Sequence, residues 1–391
     1  MEIIARIAFT TDPFATVPTW VDVSIDLMSF SLKRGRQHEL NRMEAGTADL
    51  RLLNLSGNYW PNNSGGPYYG YIIPMRRVNI RAVYGANTYD IYTGFVESWK
   101  PGFLMKPIKG AIMDISSVDL IGALSQLELN NAGYPQELSG TRVGKVLDDL
   151  NWPAGDRNLD AGQSEVQATG ALSAANAQSH LFSVQVAESG IIFIMPDGKV
   201  EFQDRHARLK SPYTVSQGIF GDGAGELGYH AVELAYDDTH IYNDVRLTRE
   251  GGAEQVAEDA TSQARYGKRT FSRSGLLSTS DLETLNLAQY LLSKYKEPFL
   301  RAKSLVIRPG ADEANLLPKV LSFDISTRIT VRLSEADIDE DYYIEGIEHS
   351  WDAATKIWET KWQLSPAVTD AYWALGVAGY SELGVTTKLA F

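Results

Sequence analysis

The feature that most constrains this chain is a repeated alternation of apolar and polar residues near its N-terminus. In Trp20–Phe30, Val21, Val23, Ile25 and Leu27 fall on one side, and Asp22, Ser24 and Asp26 on the other. Side chains of an extended chain point alternately to opposite faces, so one apolar face means a half-buried strand. The pattern recurs in Ala48–Leu55, Val78–Tyr84 and Ile112–Ser116, and in Tyr89–Trp99 through Tyr89, Ile91, Thr93 and Phe95. Gly85-Ala86-Asn87 is a hairpin-turn signal between two of these runs. Regular strands with short turns predict a small sandwich or barrel over residues 1–118.

The period then changes. Residues 119–228 read as a mixed α+β segment. Asp119 precedes a run with Leu120, Ile121, Leu124 and Leu127, and Thr141 opens another in which Val143, Val146, Leu147 and Leu150 share a helical face. A third helix is predicted over Ala174–Glu188, ending at Gly190. Ile191–Met195 and Val200–Asp204 flank Pro196-Asp197-Gly198-Lys199 as a β-hairpin. Residues 229–366 return to strands: Val232–Tyr236, Tyr242–Thr248, Lys303–Ile307, Ile329–Leu333, Tyr342–His349 and Trp358–Leu364. A helical insertion at about 261–299 contains Asp281–Lys296, which Pro298 terminates. Residues 367–391 are too sparse in apolar groups for a core and read as a docking arm. The fold class is mainly β with an α+β insert.

Composition removes several function classes. The chain has no cysteine, which excludes disulfides, thiolate metal sites and cysteine nucleophiles. No apolar run approaches the roughly 18–20 residues of a membrane helix, and the start, with Glu2 and no basic region, does not read as a signal peptide. A net charge of −13 argues against tight DNA binding over a broad basic face. Gly223-Ala224-Gly225-Glu226-Leu227-Gly228 matches a dinucleotide fingerprint formally, but a strand-like segment follows where a helix is needed. The six histidines, His38, His180, His206, His230, His240 and His349, show no metal-ligand spacing, and the acidic run Asp337–Asp341 lacks calcium-loop spacing. No catalytic, cofactor-binding or metal-binding residue is expected, and the chain does not read as an enzyme. Tyr68-Tyr69-Gly70-Tyr71 suits either sugar stacking or a protein interface.

Several patches carry a family resemblance. They are Trp20-Val21-Asp22-Val23, Lys33-Arg34-Gly35-Arg36, Glu44-Ala45-Gly46-Thr47-Ala48 and Tyr92–Trp99, then Tyr242-Asn243-Asp244-Val245, Asp259–Gly267, Ala288–Leu292 and Glu345–His349. In this order they resemble the tail-tip hub proteins of long-tailed, siphovirus-like bacteriophages, relatives of the trimeric hubs of contractile tails and injection machines. The resemblance implies two small tail-tube-like β-barrels, 1–118 and 229–366, around the mixed domain 119–228. It also implies a homotrimeric ring in the virion that adapts a six-fold tail tube to a three-fold tip and lines the DNA channel. The implied partners are tail-tube proteins above, tip or fibre proteins below and a tape-measure protein, with genomic DNA passing unbound. Neither an enzymatic role nor a cofactor is implied. Gly35 and Gly46 are expected to supply turns or positive φ, and Trp20 and Trp99 to anchor a core. Arg34 and Arg36 are candidates to pair with acids across an interface or to remain surface charge; Tyr68, Tyr69, Trp373, Leu375 and Tyr380 are further candidate contacts. The alternative is a carbohydrate- or receptor-binding module of the same particle.

Overall fold

Strands from both ends of the chain hydrogen-bond into one sheet of 13 strands in a computed structural model that describes residues 1–104, 110–367, 372–373 and 388–389. The N-terminal share comprises Glu2–Ala8, Val21–Asp22, Leu27–Gly35, Glu44–Leu53, Arg77–Tyr84, Asn87–Leu104 and Gly110–Val118. The later share comprises Ile219–Phe220, Ala231–Ala235, Arg301–Ile307, Arg328–Leu333, Ile338–Asp352 and Trp358–Pro366. The two meet where Ile338–Asp352 runs antiparallel to Leu27–Gly35, with Gly346 opposite Gly35, Ile347 opposite Arg34 and His349 opposite Leu32. The molecule is therefore mainly β, as the alternation predicts. The two expected barrels are not seen as separate closed units: the ladder runs through both shares, and no closed barrel is found among the described residues.

One apolar core serves both shares. Ile7, Leu50 and Ile80 from the first pack in the same cluster as Leu305, Ile347 and Trp362 from the second. Full burial of side chains of this size contributes about 1.5–3 kcal/mol each. The helix Glu313–Ser322 adds Leu316, Leu317, Val320 and Leu321 to that cluster. Sequence reading gave no helix there, because Pro318 interrupts a short apolar run.

The mixed middle has its own core. Helices Ser139–Asp149 and Ala177–Glu188 and the hairpin of Ile191–Ile194 with Val200–Gln203 bury Val143, Val146, Leu181, Val184, Ile192 and Phe202 together. The helix expected over Ala174–Glu188 ends at Glu188 as expected but starts three residues later, and its left-handed cap is Ser189 rather than Gly190. Ser189 takes the left-handed conformation at φ 57°. Gly190 is required for another reason: a Cβ there would lie 2.4 Å from the carbonyl oxygen of Gln203. A third, smaller cluster contains Val245, Leu247, Leu276 and Leu287. Here the strand Asp244–Arg249 leaves the main sheet to pair with Glu254–Glu258 and Thr270–Leu276, beneath the helix Asp281–Tyr295.

The opening alternation also breaks. Ile25, expected on the buried face, is 95% exposed. Ser24 donates from both its N–H and its hydroxyl to Asp22 Oδ1, and Ser24–Asp26 winds into a 3-10 turn. Such side-chain bonds compete with a strand ladder and reverse the face that follows.

The close approach of the two shares sets a sharp steric condition. Gly35 sits at φ +90°, and a Cβ there would lie 2.3 Å from the Glu345 carbonyl oxygen. Gly85 has a positive φ of +61° but nothing within 4 Å of its missing Cβ. In urea unfolding, Gly85→Ala is expected to cost about 1 kcal/mol, and Gly35→Ala at least about 3 kcal/mol. Equal costs would show that the approach at Gly35 does not matter.

Candidate functional site

The residues singled out as Lys33-Arg34-Gly35-Arg36 lie at the seam between the two shares, and both guanidinium groups find their acids inside the chain. Arg36, 6% exposed, donates from Nε to Glu345 Oε2 at 2.7 Å. Arg208, from the middle segment, donates from Nη1 to the other carboxylate oxygen at 2.5 Å. Burial pushes the Glu345 carboxyl up, but Arg208 and Arg36 together outweigh it and hold the group at about 2. Arg34, 4% exposed, bonds Asp324 at 2.7 Å and the Ile194 carbonyl at 3.0 Å. Gly46 belongs to the same seam. Its N–H donates to Asp119 at 2.7 Å, and a Cβ would lie 2.6 Å from that carboxylate. Close approach, rather than positive φ, is what requires glycine there. Burial raises Asp119 to about 7, against the pull of the Gly46 and Gly122 N–H groups.

Among the described residues, no three His, Asp or Glu side chains are placed to hold a metal. The structure does bring two histidines together that the sequence separates widely: His38 and His240 stack with ring centroids 3.7 Å apart. Burial lowers both, His38 to about 4. Next to His38, Glu39 binds Lys294 at 2.6 Å and the Tyr295 hydroxyl at 2.5 Å. The glycine run is tied down by Glu226, which accepts from Gly223 N–H at 2.9 Å and pairs with Arg332, and the strand Ala231–Ala235 follows it. The acidic run forms cross-strand ion pairs, Asp339 with Arg332 at 2.9 Å and Asp341 with Arg328 at 2.6 Å.

Two strand edges and several apolar or aromatic side chains remain exposed among the described residues. The strands Val21–Asp22 and Ala231–Ala235 end the main sheet path, and a terminal strand presents unpaired N–H and C=O groups. A groove of about 1030 Å³ runs beside the first of these, walled by Ile25, Ile357, Trp351 and Pro309. Ile25 and Ile357 are 95% and 56% exposed. Of the tyrosine pair, Tyr68 stacks on Phe9 with centroids 4.0 Å apart, while Tyr69 is 53% exposed. Trp20 and Trp99 are half-buried, not deep anchors: Arg6 lies over Trp20, and Trp99 Nε1 donates to the Ile73 carbonyl. Trp373 lies in a two-residue strand, Tyr372–Trp373, parallel to Lys388–Leu389. Leu375 and Tyr380 lie outside the described residues.

Two outcomes test the seam. Glu345→Gln leaves two confined guanidinium groups without their carboxylate and is expected to cost about 3–5 kcal/mol in denaturant unfolding. Two of the groups through which wild-type stability is expected to fall in acid are His38 and Glu345. His38 takes a proton near 6.5 when unfolded but only near 4 when folded, so stability drops as pH falls across that window. Glu345 acts lower, from its ordinary 4.5 towards 2. Melting curves of His38→Gln should show a shallower slope between pH 6.5 and 4 than wild type; an unchanged slope would remove His38 from the account.

No family model and no curated protein sequence matches the chain. Solved structures do. A tail protein from Neisseria meningitidis aligns with a TM-score of 0.62 at 12% identity, covering 94% of this chain and 96% of its own. The 43 kDa tail protein of prophage MuSo2 from Shewanella oneidensis gives 0.58 at 14%, covering 93% and 96%. An Escherichia coli component of the type VI secretion system, described as similar to T4 bacteriophage tail proteins gp27 and gp5, gives 0.51 at 11%, covering 88% and 74%. The chain carries the fold of phage tail proteins, shared with that secretion-system component.

Proposed function

We propose that the chain is a non-enzymatic structural hub of a phage tail tip. The carrying observation is that the likeness to the Neisseria tail protein runs through 94% of this chain, and so not through one module alone. In this reading residues 1–118 and 229–366 each curl into a tube-like barrel, joined edge to edge at Gly35 and Gly346, while 119–228 forms the middle domain and 367–391 the docking arm. Three copies form a ring that meets a six-fold tube above and a three-fold tip below, and DNA passes through its lumen. Tail-tube proteins, tip or fibre proteins and a tape-measure protein are its neighbours in the virion.

Two features support a ring. The main sheet ends in two different strand edges on one chain, and unlike surfaces that meet head to tail close into rings when the rotation allows. The groove beside Ile25 and Ile357 offers the apolar surface that such a contact buries. The net charge of −13 suits a lumen that DNA must traverse without sticking. The receptor-binding alternative gains less: Tyr68 is committed to Phe9, leaving Tyr69 and Tyr71 as the exposed members of that loop.

Sedimentation equilibrium is expected to give a mass three times that of the chain. Ile25→Asp combined with Ile357→Asp is expected to shift the population to monomer with an unchanged circular dichroism spectrum. A wild-type protein that stays monomeric both in solution and at the tail tip would overturn the ring.

A further inference from the structure

Where the seam, the middle segment and the small third cluster meet, they enclose a half-open cavity of about 260 Å³. Its charge is opposite to that of the molecule. Arg36, Arg42, Arg205, Arg208, Arg273, Lys294 and Arg328 line it, against the carboxylates of Glu39 and Asp204. Ion pairs answer part of this excess. Arg36 and Arg208 share Glu345, Arg205 meets Glu188, Lys294 meets Glu39 and Arg328 meets Asp341. Arg42 and Arg273 form no ion pair among the described residues. Arg273 gives a hydrogen bond to the Leu40 carbonyl and otherwise lies over the Phe271 ring at 4.9 Å. Arg208 Nη2 is buried without a hydrogen-bond partner in the same wall. Burial, and then the charges of Arg42 and Arg36, lower the Arg273 guanidinium, the direction expected for cations gathered without a counter-charge.

Part of the lining is apolar: Leu247, Leu276, Leu287 and Leu291 also border the cavity. Guanidinium groups recognise phosphate and carboxylate through paired N–H donors. A bare oxyanion would answer the cations and leave the apolar lining unfilled. We propose that this cavity is a binding site for an organic anion, one phosphate or carboxylate head facing Arg42, Arg208 and Arg273 and a short apolar body against the leucines. All the lining residues belong to one chain, so the site is complete with or without a ring.

Phenyl phosphate is the probe, with inorganic phosphate and benzoate as companions, in titration calorimetry on the full chain. Phenyl phosphate is expected to bind saturably, at least tenfold more tightly than inorganic phosphate, and Arg273→Gln is expected to weaken it at least tenfold. Benzoate binding with the same Arg273 dependence supports the site and shows that a carboxylate head suffices. Thermal melting separates lost binding from lost folding. Without ligand, Arg273→Gln should melt at or above the wild-type temperature, since a like-charge repulsion is removed; with phenyl phosphate, only wild type should gain. No saturable binding of either aromatic anion, inorganic phosphate binding as tightly as phenyl phosphate, or binding that Arg273→Gln leaves within twofold would each overturn the proposal.

Discussion

Glu345 has no solvent exposure and accepts from two guanidinium groups, Arg36 on the seam strand and Arg208 in the middle segment. A lone carboxylate in such a place costs several kcal/mol and would protonate instead. Three regions of the chain therefore have to be in place together before this charge is satisfied. The backbone makes the same demand. Arg36 N–H donates to the Glu345 carbonyl at 2.9 Å, which only the absence of a side chain at Gly35 allows. Continuity of the 13-stranded sheet and of the shared core follows from this one junction.

Local structure was legible wherever the signal was itself local. The hairpin around Asp197-Gly198, with Gly198 at φ 96°, and the helix that Pro298 ends stand where turn chemistry put them. The seam was visible only in pieces. The patches Lys33–Arg36 and Glu345–His349 read as separate signatures, yet they are adjacent strands in register. Periodicity tells a strand which face is buried and not which strand lies beside it, so the two β regions could not be seen to share one sheet. The strand Asp244–Arg249 was assigned with the others for the same reason, although it pairs in a separate small sheet.

Side-chain roles divided along similar lines. Arg34 and Arg36 were read as pairing with acids across an interface or as surface charge; both are instead buried against Asp324 and Glu345 of the same chain, roughly 300 residues away and beyond the reach of any spacing rule. The stacked His38 and His240 and the cationic cavity were equally out of reach, since each gathers residues from distant segments. The overall charge was misleading at short range. A chain that is −13 in total places an excess of arginine in its interior junction, so net charge describes long-range repulsion and not what any one cavity holds.

The separation of Arg36 from Glu345, 309 positions, also orders events during synthesis. At about 5–20 residues per second, the Leu27–Gly35 strand waits some 15–60 s on the ribosome before its partner exists. Throughout that interval its outer edge is an open template for any passing extended chain. Lys33 and Arg34 sit on that edge and Arg36 directly follows it, and charge of one sign is what discourages premature partners. The same arginines that later lock the finished molecule thus act as guards of the unfinished one, released from that duty when the carboxylate of Glu345 arrives.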